Sequence, residues 1–322
     1  MFAVTAARFD AENPISGLQL GEHAEPVVPD GWTTVSVRAA SLNHHDVWSL
    51  RGVGLSADRL PMILGCDAAG VDDDGNEVVV HAVIGDPTVA AGDETLDPSR
   101  SLLSERYDGT FAERVAVPRR NLVPKPAALS FEEAACLPTA YLTAFRMLFD
   151  RAPIGPGSTV LVQGAGGGVA TALILLGRAA GYRMWATSRS EAKRARALQL
   201  GADKVFEASA RLPERVDAVM ETVGEATWAH SLRALKPGGA IVICGATSGA
   251  VPSADLNRVF FLQLSVIGST MGTRDELARL VTFCEQTSTR PLIDHVMPLS
   301  QAAEGFTALI DGGVFGKVVF TL

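Results

Sequence analysis

Four glycines crowd into the short stretch Gly164, Gly166, Gly167 and Gly168, between a short apolar run, "STVLVQG", and a longer helical pattern, "VATALILLGRAAG". That placement constrains the fold more than any other feature of the chain. Glycines let the backbone turn sharply and approach a ligand closely. The helix that follows offers free N–H groups and the positive end of its dipole, which suits a pyrophosphate. The match to G-x-G-x-x-G/A is imperfect. One register reads Ala165, Gly167, Ala170, the other Gly164, Gly166, Val169, and each departs from the pattern at one position. The context strengthens the reading, because the loop follows a predicted strand and opens a predicted helix.

The downstream sequence keeps that rhythm. "YRMWATS" reads as a strand and "SEAKRARALQLG" as a helix with Ser190 at its start and Gly201 at its stop. "VDAVMETVG" reads as a strand ending in Gly224, and "KPGGAIVICG" as a turn and a strand. Strands alternating with helices imply a parallel sheet covered on both faces, a Rossmann-type dinucleotide domain. In such domains an acid about twenty residues past the loop holds the ribose 2′-hydroxyl of NAD. Here the second strand ends in Thr187, Ser188 and Arg189, with Lys193 a helical turn beyond. A hydroxyl and two cations suit a 2′-phosphate through charge-assisted hydrogen bonds. The expected cofactor is therefore NADPH, with Gly164, Ala165, Gly166, Gly167, Gly168 and Val169 at its phosphates.

Residues 1–124 have a different texture. "TTVSVRAASL" and "EVVVHAVI" read as strands, and Asp86 to Arg106 as a polar loop excursion. "VPKPAALS" marks a linker, after which Ser130 and Glu133 form a capping box; Thr273 and Glu276 form another. "FFLQLSVIGS" and "GVFGKVVFTL" are late strand candidates, the second expected to return to the first domain. The division expected is 1–124 with 264–322 as one domain, and 125–263 as the dinucleotide domain. An apolar strand at a sheet edge invites a second copy, so a homodimer is expected.

With 47% apolar residues and a net charge of −8 over 322 residues, the chain is globular and acidic. A nucleic-acid partner is not expected, because that role calls for a basic surface. Cys66, Cys136, Cys244 and Cys284 show neither disulfide-framework nor zinc-ribbon spacing, which fits a reducing cytoplasm. No secretory signal or membrane segment is read.

"SLNHHD", "LGCDAAG", "GTFAERVAVP", "FEEAACLPTAYLTAF", "VLVQGAGGGVA", "LKPGGAIVICG" and "FGKVVF" occur in this order along the chain. By that ordered set the sequence resembles the medium-chain dehydrogenase/reductase superfamily, in its zinc-independent quinone oxidoreductase-like branch. The resemblance covers essentially the whole chain. It implies an α/β architecture in which a GroES-like β-rich catalytic domain accompanies the Rossmann domain, with nicotinamide and substrate held in a cleft. It places Thr143, Gly224, Gly245, Ser269 and Lys317 beside the cofactor. It also locates the zinc ligands of other members. Asn43 stands where a Cys would be, Cys66 and Asp67 replace His-Glu, and the later Cys falls near Pro138, which cannot ligate. No metal is expected, since a catalytic zinc takes about three protein ligands.

Without a Lewis acid, hydride from nicotinamide is best accepted by a quinone or an α,β-unsaturated carbonyl, where charge spreads and hydrogen-bond donors suffice. The expected catalytic residues are Asn43 and Tyr141 as donors, His44 (with His45 beside it) as a proton source, and Asp46 as orienter or helix cap. Cys66 is expected to be a buried small hydrophobe. Two other readings stay open: a zinc-dependent alcohol or aldehyde dehydrogenase with an atypical ligand set, and a non-catalytic NADPH-binding protein.

Overall fold

A computed structural model describes all 322 residues and divides them into two compact units, Met1–Leu142 with Gly272–Leu322, and Thr143–Met271. The first unit is built on a seven-stranded sheet. Its strand β1 (Trp32–Ser41) alternates well and is buried on both faces near its end, before helix α1 (His44–Leu50). β1 pairs antiparallel with β2 (Asp67–Asp72), bringing Ser41 opposite Asp67. β2 continues to β3 (Glu77–Val80), β3 pairs with β5 (Leu122–Pro124), and β4 (Arg114–Pro118) lies along the first half of β1. The polar excursion 86–106 holds only short turns and a two-residue strand, Ser101–Leu102, paired with Val83–Ile84.

The second unit is an all-parallel six-stranded sheet. Its strands are β6 (Thr159–Val162), β7 (Arg183–Thr187), β8 (Lys204–Phe206), β9 (Val216–Glu221), β10 (Leu235–Ile243) and β11 (Ser265–Gly268). They lie in the order β8-β7-β6-β9-β10-β11. This is the doubly wound order, in which the chain reverses direction across the sheet between the first and fourth strands and a ligand crevice opens at their carboxyl ends. Helices α2 (Gly168–Ala179), α3 (Glu191–Leu200) and α4 (Glu225–Ala234) connect the strands. The four central strands, β7, β6, β9 and β10, are largely buried on both sides, which is why they read as apolar runs rather than alternating ones.

The chain then returns to the first unit. β12 (Ile293–Pro298) and β13 (Lys317–Thr321) pair parallel, and β13 lies antiparallel to β1 with Val319 opposite Ser41. The core here is aromatic at its centre. Phe111 packs edge-on to Phe320 at 5.2 Å and to Phe306 at 6.2 Å, an arrangement that aromatic quadrupoles favour.

Both predicted capping boxes form, Ser130 with Glu133 and Thr273 with Glu276, each side chain bonding the other's backbone N–H. The unit boundaries differ from the expected ones. Residues 125–142 pack in the first unit, where the helix Phe131–Ala135 lies against β1 and β2. The segment from 264 to 271 stays in the parallel sheet, because β11 pairs in register with β10, Ala240 opposite Ser265. No helix is long and apolar enough to cross a membrane.

Candidate functional site

The glycine loop lies at the carboxyl end of β6. Gly164 and Gly166 have φ of +81° and +142°, backbone that L side chains rarely adopt. Gly167 caps α2 with φ −71°, and a Cβ built there meets nothing within 4 Å. The cap residue could therefore carry a side chain, and it opens a twelve-residue helix whose leading N–H groups have no intrahelical acceptor. Loop and helix are held from behind. Ala165 N donates to Thr187 O at 2.7 Å, and Gly164 N to Thr187 Oγ1 at 3.3 Å. Thr187 Oγ1 donates to Gln163 Oε1 at 2.7 Å, and Gln163 Nε2 donates to His230 Nδ1 and Ser231 Oγ, both at 2.9 Å. His230 Nε2 faces the Ala210 carbonyl at 2.8 Å, so that nitrogen carries the proton and Nδ1 accepts. Burial, aided by Arg233, holds the His230 pKa below 6.5 against the pull of that carbonyl. Such a cradle fits a pyrophosphate.

At the end of β7 the loop 188–190 is also braced. Arg194 Nη1 donates to the carbonyls of Ser188 (2.7 Å) and Arg189 (3.3 Å), and Ser190 Oγ caps Lys193 N at 3.3 Å. Arg194 is thus spent on the backbone. Arg189 is exposed and its guanidinium has no protein partner. Lys193, half-buried, lies on the first turn of α3. The carboxylate nearest in sequence, Glu191, is exposed on α3.

Gly224, with φ +93°, ends the turn after β9, where a Cβ would stand 2.5 Å from Gly249 O. Buried Glu221 shapes that turn by accepting from Val223 N, Gly224 N, Thr227 Oγ1 and Ser231 Oγ. Gly245 is half-buried after β10, Thr143 is buried, and Ser269, half-buried, carries a hydroxyl without a hydrogen-bond partner. All these belong to the second unit, as do the loop residues.

Lys317 belongs to the first unit, and its surroundings overturn its expected role. It is 3% exposed, and Nζ donates to Leu42 O (2.8 Å), Asn43 Oδ1 (2.5 Å) and Asp67 Oδ2 (3.3 Å). An ammonium has three N–H groups, so none remains for a cofactor. The same network corrects Asn43. Because Lys317 can only donate, it faces the amide oxygen. The amide nitrogen then gives its hydrogens to Asp67 Oδ2 (2.8 Å) and Ser41 O (3.3 Å). No donor is left over for a substrate. Tyr141 is likewise corrected: it is fully buried, its hydroxyl accepts from Leu292 N at 2.7 Å, and burial pushes its pKa well up. Asp46 does act at the helix start, accepting from Asn43 N at 2.8 Å and Gly65 N at 3.1 Å. His44 is exposed on α1.

The zinc positions of other members do not fit a metal here. Asn43 is committed to a lysine ammonium, and Pro138 offers no side-chain donor. Asp67, fully buried, keeps Oδ1 without a hydrogen-bond partner.

Beside this corner lies a cluster that sequence reading did not assemble. His45 Nδ1 stands 3.1 Å from Cys66 Sγ and 3.9 Å from Asp46 Oδ1, while Nε2 stands 3.1 Å from Glu105 Oε1. Burial alone would lower the His45 pKa. The Cys66 sulfur, Asp46 and Glu105 outweigh it and hold the imidazole's pKa well above 6.5. Burial, with Asp46 and Asp67 nearby, raises the thiol of Cys66 against the pull of His45. Positions 45, 66 and 105 share no local motif, so nothing in the linear chain announced their convergence.

Comparison with known proteins follows the same outline. Residues 29–127 match the alcohol dehydrogenase GroES-like domain, and residues 168–286 the zinc-binding dehydrogenase family. A zinc-type alcohol dehydrogenase-like protein of Schizosaccharomyces pombe is 30% identical over 98% of this chain and 99% of its own length. A crystal structure of an NAD-dependent alcohol dehydrogenase superposes with a TM-score of 0.91 at 35% identity, covering both chains fully. A 2-octenoyl-CoA carboxylase reductase in complex with NADP and 2-octenoyl-CoA superposes with a TM-score of 0.90 at 25% identity, over 99% of this chain and 87% of the other.

Proposed function

Because the chain belongs to the medium-chain dehydrogenase/reductase superfamily, we propose that this oxidoreductase uses NADPH to reduce a conjugated acceptor, a quinone or an α,β-unsaturated carbonyl. The observation that carries the cofactor choice is Arg189. Its partnerless guanidinium follows directly on Ser188 at the end of β7, with no acid at that strand end. A 2′-phosphate would receive charge-assisted hydrogen bonds there, whereas a ribose hydroxyl of NADH would find no carboxylate. Relatives by themselves point both ways, since one similar structure is of an NAD-dependent enzyme and another holds NADP.

The acceptor class follows from the committed donors. NADPH held at the glycine loop would supply a hydride, whose electron pair a conjugated acceptor spreads into its carbonyl, and the balancing proton would come from water. An isolated ketone would place full charge on one oxygen and need a strong donor. Asn43 and Lys317 give their hydrogens within the fold, and Tyr141 is fully buried, which favours acceptors that delocalise their charge. The reductase with 2-octenoyl-CoA is a relative whose ligand has that conjugation. No step of this reading passes through a metal at the zinc positions of other members.

The test is NADPH oxidation, followed by absorbance, with a panel of quinones, enones and saturated aldehydes, repeated with NADH. Turnover with quinone or enone, at least tenfold more efficient with NADPH, is the expected result. Turnover confined to saturated aldehydes, or preference for NADH, would overturn it. We also propose that two copies pair through β11, whose edge is open at the end of the sheet.

A further inference from the structure

His45, Asp46 and Cys66 each offer one ligand atom, and those atoms all lie within 4.8 Å of one another. Two bonds of about 2.0–2.3 Å at a tetrahedral angle set ligand separations of about 3.3–3.8 Å. The distances from His45 Nδ1, 3.1 Å to sulfur and 3.9 Å to Asp46 Oδ1, lie on either side of that range, each within about 0.2 Å of it. The surroundings have the form of a metal's outer shell. A ligating imidazole almost always gives its other N–H to a carboxylate, a backbone carbonyl or water, and Glu105 Oε1 stands 3.1 Å from His45 Nε2. A ligating carboxylate is itself hydrogen-bonded, and Asp46 accepts from Gly65 N and Asn43 N. Those contacts fix the imidazole with Nε2 protonated and Nδ1 turned inward.

We propose that His45, Asp46 and Cys66 form a binding site for a divalent transition ion of the zinc class. This set shares only Cys66 with the positions that the resemblance gives as zinc ligands in related enzymes. A thiolate beside an imidazole selects zinc or cobalt over magnesium or calcium. Three protein ligands leave one position for water. Binding is an exchange: the ion enters as the protons on Nδ1 and on sulfur leave, with no change of oxidation state. Without the ion, a proton on Nδ1 fills the point between the same donors. The site does not depend on the reductase reading, since the NADPH cradle lies wholly in the other unit.

The experiment uses the full chain, stripped with a chelator and titrated with cobalt(II), then zinc. The expected result is one equivalent of cobalt per chain, a near-ultraviolet thiolate-to-cobalt charge-transfer band, and loss of that band on adding zinc. Cys66→Ser should abolish the band, and His45→Gln should abolish or shift it. Glu105→Gln should weaken affinity about 10–100-fold, and Cys244→Ser should leave the band intact. Circular dichroism identifies any variant that fails to fold. Absence of stoichiometric binding to the wild-type chain, or a band that survives Cys66→Ser, would overturn the proposal. NADPH titration of the stripped protein reports separately on the cofactor reading.

Discussion

Lys317 Nζ lies 2.5 Å from Asn43 Oδ1, across 274 positions of sequence, and the contact pins the last strand of the chain to the corner between β1 and α1. Asp67 completes the pair, with its carboxylate fully buried. Removing one partner of a buried ion pair leaves an uncompensated charge and costs about 3–5 kcal/mol. Lys317→Met should therefore lower stability to chemical denaturation by about that amount, and adding Asp67→Leu should restore much of it. Affinity for NADPH should stay unchanged. A variant that folds normally but binds NADPH more weakly would return Lys317 to the cofactor.

Arg189→Ala tests the 2′-phosphate site. Hydrogen bonds to charged groups contribute about 1.5–3 kcal/mol, so fluorescence titration should show NADPH affinity falling by roughly 10–150-fold. NADH affinity should hardly move. An equal loss for both nucleotides would mean that Arg189 touches something other than the 2′ position.

Two glycines of the loop should respond in opposite ways. Gly167→Ala meets open space at an ordinary φ, so the fold should lose no more than about 1 kcal/mol while NADPH binding drops at least tenfold. Gly164→Ala forces a Cβ to 3.0 Å from Val223 Cγ2 at φ +81°, and should cost about 1–2 kcal/mol of stability. Unimpaired NADPH binding by a stable Gly167→Ala would show that the cradle does not hold the pyrophosphate.

His230 ties stability to pH. Its folded pKa lies below the unfolded value near 6.5, so the fold favours the neutral ring. The stabilisation is complete above pH 6.5 and is lost as pH falls through that value toward the folded pKa. His81, buried with its pKa also lowered, adds the same sign in the first unit. Thermal unfolding should thus shift downward between pH 7.5 and 5.5, and His230→Asn should reduce, not abolish, the shift. An unchanged slope in that variant would mean that the burial of His230 does not tie stability to pH.

Pairing through β11 is checked by light scattering at micromolar concentration, which should give twice 33.9 kDa. Val266 is 48% exposed on that strand, and Phe260 and Phe261 are 67% and 80% exposed just before it. Val266→Asp should give a monomer. A wild-type monomer would reject the pairing.

Local chemistry explains what was legible in the chain alone. The β–α rhythm, the glycine loop, the stops at Gly201 and Gly224, and the two capping boxes each depend on residues within a few positions of one another. Short-range backbone geometry decides them, and the structure repeats them. Even the missing acid beside Arg189 is a local fact. The extent of the parallel sheet was not local. "FFLQLSVIGS" reads as a strand in isolation, but only its register against Ala240 places it in the second unit.

The side chains of the first unit were least readable. Asn43, Lys317 and Tyr141 looked like free donors because sequence lists what a residue can donate, not what has already received it. Their partners are far away along the chain: Leu292 N donates to the Tyr141 hydroxyl, and Asn43 and Asp67 accept from Lys317. His45, Cys66 and Glu105 were read apart for the same reason. The sequence by itself determined the elements and the phosphate loop, whose partners are neighbours. Tertiary structure alone decided which polar groups are consumed and which converge, because satisfying a buried donor depends on what packs against it.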